Sequence, residues 1–300
     1  MSIYLQKYTN EASRFLVFDG TLVHYRDEGE GPVLLLIHGA FSSLHTFDQW
    51  VAELKNSFRI IRIDLPGFGL SQARIDHKYD VDTYIRCLNT VLKLLDVESC
   101  SVAGSSLGGW LAWEFALEQP QKVDKLILID SAGFLDEKSI PLPFRMARTP
   151  FVNKIVRYII KKNVLEVFLR QVYGDSSKIT PELVDRYYDL FSREGNPEAF
   201  FALVNGKFKD NTHQLSHIKA PTLIMWGEKD EWLPVANGYR FLSEIPQARM
   251  IIYEDLGHIP MEEDPHHTAI DAKAFLLDIT LAEAEKSVSD KSPSERTKSD

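Results

Sequence analysis

Short runs of consecutive apolar residues alternate along this chain with longer stretches in which apolar positions recur every three to four residues. The first pattern suits strands covered on both faces, the second suits helices laid against them. Val33–Ile37 and Leu126–Ile129 are apolar at every position, and Phe58–Asp64, Cys100–Ala103, Thr222–Trp226 and Met250–Tyr253 share their β-rich composition. Phe15–Phe18 and Leu22–Arg26 flank Asp19-Gly20, a pair that tolerates positive φ and predicts an antiparallel hairpin at the edge of the sheet. Thr83–Leu95, Leu107–Glu118 and His267–Ile279 carry helical periodicity. Together these predict an α/β fold, a mostly parallel eight-stranded sheet flanked by helices.

The alternation lapses from Ser139 to Ile218, where helical patterns follow one another without a strand. Such an insertion between strands 6 and 7 reads as a helical cap. Pro141, Pro143 and Pro150 mark its entry, and Phe151–Tyr173 predicts a helix with Val152, Ile155, Val156 and Ile159 on one face and Lys154, Arg157 and Lys161 on another. The expected organisation is a core over residues 1–138 and 219–282, the cap over 139–218, and a tail over 283–300 whose Ser, Lys, Asp and Glu predict disorder.

Composition narrows the partners. The 300 residues carry 43 acidic against 34 basic side chains, a net charge of −9, which argues against nucleic acid as the main partner. Cys87 and Cys100 lack metal or redox spacing and read as small buried apolar residues. Residues 1–10 contain no run long enough for a secretory or membrane-spanning segment. The expectation is a soluble cytoplasmic protein with no membrane span, needing no metal or cofactor, its oligomeric state open.

Candidate chemistry centres on Gly104-Ser105-Ser106-Leu107-Gly108, which follows an apolar run and opens a helical one. A strand that turns this sharply into a helix needs small neighbours, and it lifts the central serine toward the helix N-terminus, where unpaired N–H groups favour negative charge. Ser106 is the candidate nucleophile; Ser105 is expected to point toward the helix packing. A serine hydroxyl needs a base and the base an orienting acid. Leu256-Gly257-His258 offers His258 after the last strand, and Trp226-Gly227-Glu228-Lys229-Asp230 offers Asp230 after the one before. Asp130 also ends a strand and competes with Asp230, whereas Glu228 lies too close to its strand end. For the oxyanion, His38-Gly39-Ala40-Phe41 supplies a loop N–H, assigned to Ala40 with Phe41 as the neighbouring alternative, and Leu107 supplies the second. His38 is expected to brace that loop by a hydrogen bond. His24, His45, His77, His213, His217, His266 and His267 read as ordinary polar positions.

His38-Gly39, Asp64-Leu65-Pro66-Gly67-Phe68-Gly69-Leu70-Ser71, the Ser106 turn, Trp226-Gly227 and Gly257-His258 together resemble a capped serine hydrolase of the α/β-hydrolase superfamily over residues 13 to 280. The order Ser106, Asp230, His258 is that superfamily's order. The resemblance implies that the segment from Asp64 to Ser71 is a structural loop, so Asp64 takes no catalytic role. Serine at 106 sets the chain apart from haloalkane dehalogenases and epoxide hydrolases, and Leu107 departs from the Trp that prolyl aminopeptidases carry there. The expected activity is cleavage of a small or medium carboxylic ester through an acyl-enzyme, with Phe41, Trp110, Phe144 and Trp232 as pocket-lining candidates. One alternative is carbon–carbon hydrolysis of an aromatic ring-cleavage product, with Arg145 or Arg148 meeting the anionic substrate; another is a non-catalytic ligand-binding receptor.

Overall fold

The structure, a computed structural model, describes residues 3–134, 142–148, 161–206 and 209–289. Eight strands form one sheet: β1 Ser13–Phe18, β2 Thr21–Glu28, β3 Val33–Ile37, β4 Arg59–Ile63, β5 Cys100–Ser105, β6 Val123–Ile129, β7 Thr222–Gly227 and β8 Ala248–Tyr253. Their spatial order is β1-β2-β4-β3-β5-β6-β7-β8. β1 and β2 pair antiparallel, as do β2 and β4, and every later pairing is parallel. Asp19 and Gly20 both take positive φ at the hairpin turn, as their composition predicts. β1, at the edge, buries Leu16 and Phe18 and leaves Val17 exposed; Leu34 to Ile37 of the inner strand β3 are fully buried.

In chain order the helices are α1 Ile3–Tyr8, α2 Asp48–Leu54, α3 Val81–Leu94, α4 Leu107–Glu118, α5 Leu142–Arg148, α6 Lys162–Val172, α7 Pro181–Phe191, α8 Asn196–Val204, α9 Val235–Glu244, α10 Pro260–Glu263, α11 Pro265–Leu277 and α12 Leu281–Ser289. Asp80 caps α3 by accepting the N–H of Thr83, and Asp264 caps α11 through His267. Between β6 and β7 the described residues form helices and turns but no strand. Pro141, Pro150 and most of the apolar face expected over Phe151–Tyr173, Val152, Ile155, Val156 and Ile159 included, lie outside the described residues, as does the tail beyond Ser289.

One boundary is corrected. Disorder was expected from Glu283 onward, yet α12 runs from Leu281 to Ser289. Thr280 and Glu283 exchange side-chain-to-backbone hydrogen bonds across its first turn, and Ala284 is fully buried with Ile270 and Ala274 of α11. One small residue on a polar helix is enough to dock it, and composition averages miss that.

Two of the histidines read as ordinary polar positions, His24 and His45, are corrected too. His24 is fully buried on β2, with Nδ1 2.7 Å from Oδ2 of Asp64. His45 is buried as well, its Nε2 3.1 Å from the Arg26 guanidinium and its Nδ1 3.2 Å from Ser43 Oγ; burial lowers its pKa to about 4, so it sits neutral. Asp64 also accepts the N–H groups of Leu44 (2.7 Å) and Leu70 (2.8 Å), pinning two loops at the C-terminal edge of the sheet. Burial alone would raise the Asp64 pKa, but the hydrogen bond with His24 and the surrounding imidazoles outweigh it and hold the carboxyl well below the ordinary range.

Because the folded pKa of Asp64 is depressed, the stability it contributes is present above its unfolded value near 4 and is lost as pH falls below that. Asp64→Asn should therefore cost about 3–5 kcal/mol at pH 7, the usual loss on breaking a buried pair. Chemical denaturation at pH 7 and pH 3 should show the gap between variant and wild type narrowing at the lower pH.

Candidate active site

The register of β3, β5, β6 and β7 brings their C-terminal ends to one edge, pairing Ile37 with Gly104, Ser105 with Ile129 and Ile129 with Met225. Every loop singled out from the sequence leaves that edge. Ser106 sits between β5 and α4 at φ 55° and ψ −115°, a strained conformation for a residue with a Cβ. Its N–H donates to the carbonyl of Ile129 and its carbonyl accepts from Trp110 and Ala132, so three segments hold it. A Cβ on Gly104 would stand 2.1 Å from the Gly108 carbonyl oxygen, and one on Gly108 would stand 2.0 Å from that of Ile37. The strand-to-helix turn fits only because both are glycine.

The loop from His38 to Ser42 lies directly over this turn. A Cβ on Gly39 would approach that of Ser106 to 3.1 Å. Ser42 N–H closes a turn onto the Gly39 carbonyl with Phe41 at φ 62°. His38 braces it as expected: the N–H of Leu65 donates to Nε2 at 3.0 Å, so Nδ1 carries the proton and donates to the Gly39 carbonyl at 2.7 Å. Burial lowers the His38 pKa, which keeps the ring neutral in that role.

Asp230 and His258 meet. His258 Nδ1 lies 2.7 Å from Asp230 Oδ2, while Asp230 Oδ1 accepts the N–H groups of Trp232 (2.7 Å) and Leu233 (2.9 Å). With Nδ1–H committed to the carboxylate, Nε2 carries the lone pair. Nε2 is buried without a partner among the described residues, and the imidazole lines a cavity of about 30 Å³ together with Gly39, Ala40, Ser42, Ser105 and Ser106. Thr46, Val172, Tyr187, Ile259 and Met261 complete it. Ser105, expected against the helix packing, has its Oγ buried and unpartnered among the described residues, and the residue is among those bordering the cavity.

Asp130 also lies close. Atoms of Asp130, Asp230 and His258 fall within 4.8 Å of one another. Asp130 Oδ1 accepts the N–H of Gly227, and burial first, then the charge of Asp230, pushes its pKa well above the carboxylate range. The imidazole nitrogen faces Asp230, so the geometry distinguishes the two acids where sequence left both open. A neutral Asp130 beside a hydrogen-bonded Asp–His pair makes a poor metal site. Glu228 is exposed.

Of the pocket candidates, Phe41, Phe144 and Trp232 come together, with ring centroids 5.7 to 6.2 Å apart. Phe41 also stacks near Phe168, Phe191 and Phe200, joining the His38 loop to helices α6, α7 and α8. Trp110 points elsewhere: its Nε1 donates to Glu114, which also accepts from Asn211. Arg145 and Arg148 are exposed, and Arg148 donates to the Val204 carbonyl. Sequence reasoning overlooked Glu262 and Glu263 next to His258. Glu262 accepts from Arg186, Tyr187 and Thr46, which ties α7 to the cavity wall. Two acids on a turn beside a candidate base were the only signal.

Comparison with known proteins follows the same lines. Residues 32–265 match the family described as alpha/beta hydrolase fold. The 2-hydroxy-6-oxononadienedioate/2-hydroxy-6-oxononatrienedioate hydrolase of Burkholderia vietnamiensis (strain G4 / LMG 22486) is 32% identical over 270 residues, covering 84% of this chain and 88% of that protein. A meta-cleavage product hydrolase from Pseudomonas fluorescens IP01 superposes with TM-score 0.75 at 22% identity, over 88% of this chain and 97% of its own. A thermophilic esterase from Thermogutta terrifontis gives TM-score 0.76 at 24% identity, over 89% and 98%. Among the described residues no helix is long and apolar enough to cross a membrane.

Since the folded pKa of Asp130 is raised, its contribution to stability is full below pH 4 and is lost as pH rises toward the folded value. Asp130→Asn, isosteric with the neutral acid, should gain in melting temperature relative to wild type as pH rises from 4 to 8. A difference that stays flat across that range would show Asp130 to be ionised.

Proposed function

The chain belongs to the α/β-hydrolase fold family, and on that premise we propose that this hydrolase is a serine enzyme cleaving small-to-medium carboxylic esters through an acyl-enzyme. The carrying observation is the 2.7 Å Asp230–His258 contact, with His258 bordering the cavity that Ser106 lines and its other ring nitrogen buried without a partner among the described residues. Ser106 Oγ attacks the carbonyl carbon while His258 Nε2 takes its proton, and the same imidazolium returns it to the leaving alkoxide. Asp230 fixes the tautomer and stabilises the positive ring. Water, deprotonated by His258, then attacks the acyl carbonyl and releases the acid and free Ser106. The N–H groups of Ala40 and Leu107 receive the oxyanion, and such donors are each worth about a hundredfold or more in rate.

Residues 139–218 act as the cap in this reading, with Phe41, Phe144 and Trp232 as the apolar wall for the acyl or alcohol group. A wall of this kind suits an uncharged substrate. The second reading, carbon–carbon hydrolysis of a dienoate, is favoured by the activity for which the 32% identical relative is named. That substrate is anionic and needs a cation; Arg145 and Arg148, the candidates for it, are exposed, Arg148 donates to the Val204 carbonyl, and Arg186, next to the cavity residue Tyr187, is paired with Glu262. This charge balance supports the ester reading.

Ser106→Ala should lower kcat on p-nitrophenyl butyrate by about 10⁴-fold or more with the fold intact by circular dichroism. A fluorophosphonate probe should label the wild type and not the variant. Asp230→Asn should lose far more activity than Asp130→Asn. Retention of most activity in Ser106→Ala would end the serine mechanism, and a dienoate turned over in preference to butyrate, hexanoate and octanoate esters would favour the second reading.

A further inference from the structure

Glu263 closes α10, five residues after His258, and is only 5% exposed. Both its carboxyl oxygens are spent on backbone. Oε2 accepts the N–H of Gly257 at 2.8 Å and that of Gly174 at 3.0 Å, and Oε1 accepts the N–H of Asp175 at 2.7 Å. Gly257 is the residue before the proposed base, and Gly174-Asp175 lies just past the end of α6, among the helices inserted between β6 and β7. One carboxyl therefore fastens the base-bearing loop to the insertion.

The two segments cross with no space between them. A Cβ on Gly257 would stand 2.4 Å from the Val172 carbonyl oxygen, and one on Gly174 would stand 2.5 Å from that of Asp255. At the crossing, the N–H of His258 itself donates to Val172 O at 2.7 Å. The peptides on either side of the Gly257 Cα are thus held separately, one by Glu263 and the other by the end of α6. Asp230 then has only the rotation of the ring to fix.

The chemistry of the position is selective. Three N–H donors converge on one point in a buried crossing, and each left without an acceptor would cost about 1–3 kcal/mol. A carboxyl offers two oxygens to three donors. A glutamine offers one oxygen and turns an NH₂ toward N–H groups, so at least one donor is orphaned.

We propose that Glu263 is a positioning residue for His258: it sets the height of the Leu256-Gly257 peptide, and through it the loop that aims His258 at Ser106, and it couples that height to the segment following α6. A ligand that shifts the insertion then moves the base with it. The inference rests on the reading of Ser106 and His258 as nucleophile and base.

The test is Glu263→Gln assayed on p-nitrophenyl butyrate beside Ser106→Ala and His258→Ala, below the melting temperature of every variant. Misplacing a base by about 1 Å costs about 10²-fold, so kcat should fall about 10- to 100-fold while KM stays within about threefold. The low-field proton resonance of the Asp230–His258 hydrogen bond should shift or broaden. Glu263→Asp, which keeps the charge but retracts it by one methylene, should show the same split and serves if the glutamine variant does not fold. A lowered melting temperature with kcat and the resonance unchanged would mark Glu263 as a structural tie and overturn the proposal, while the serine reading stands on the two other variants. Turnover surviving in Ser106→Ala and His258→Ala would remove both.

Discussion

Ser106 is held at φ 55° by a turn that Gly39, Gly104, Gly108 and Gly109 pack around. Gly104 lies against the backbone of Gly108, Gly108 against Ile37, Gly109 against Ser131, and Gly39 against Ser106 itself, each closer than a Cβ permits or as close as it tolerates. The parallel pairing of β3, β5 and β6 forces this crowding, because β3 and β6 both end beside the turn that leaves β5. Strain of this kind amounts to about 1–3 kcal/mol and persists only where surrounding bonds over-determine the conformation. Here the bonds run from Ser106 to Ile129, Ala132 and Trp110. A hydroxyl lifted clear of the sheet is the outcome, and the loops carrying His38, Asp230 and His258 have to come to it.

Buried acids do the work of bringing those loops in. Asp64 gathers the loops after β3 and β4, Asp230 orders Trp232 and Leu233 while meeting His258, and Glu263 joins the segments after α6 and β8. Each carboxyl accepts two or three backbone N–H groups that would otherwise be buried and unmatched. Asp130 differs. Burial first, and then the neighbouring Asp230, raise its pKa and favour the neutral acid. Two ionised acids at that spacing would repel each other in a site with little water to screen them.

Attachment of the inserted helices is equally specific. Phe41, displayed by a positive φ on the loop above Ser106, sits among rings from α5, α6, α7 and α8 and beside Trp232. On the other flank Arg186 and Tyr187 of α7 reach Glu262, and Gly174 reaches Glu263. Apolar contact on one side and charge-assisted bonds on the other give the insertion a soft wall and a stiff wall.

Sequence determined what depends on neighbours in the chain. All-apolar runs marked β3 and β6, Asp19-Gly20 marked the hairpin, and Leu107–Glu118 marked α4 to the residue. The glycine spacing around Ser106 pointed to a sharp turn, since steric exclusion of a Cβ is a local demand. The loops after the last two strands offered Asp230 and His258, in the chain order of the family that the sequence resembles. Tertiary structure alone decided matters that hinge on approach between distant segments. It set His258 against Asp230 rather than Asp130, buried His24 beside Asp64, and docked α12 through Ala284. None of these leaves a periodic trace, because a hydrogen bond between residues many positions apart is fixed by strand order and register, and a chain of letters does not display which backbone N–H groups will arrive together around one carboxyl.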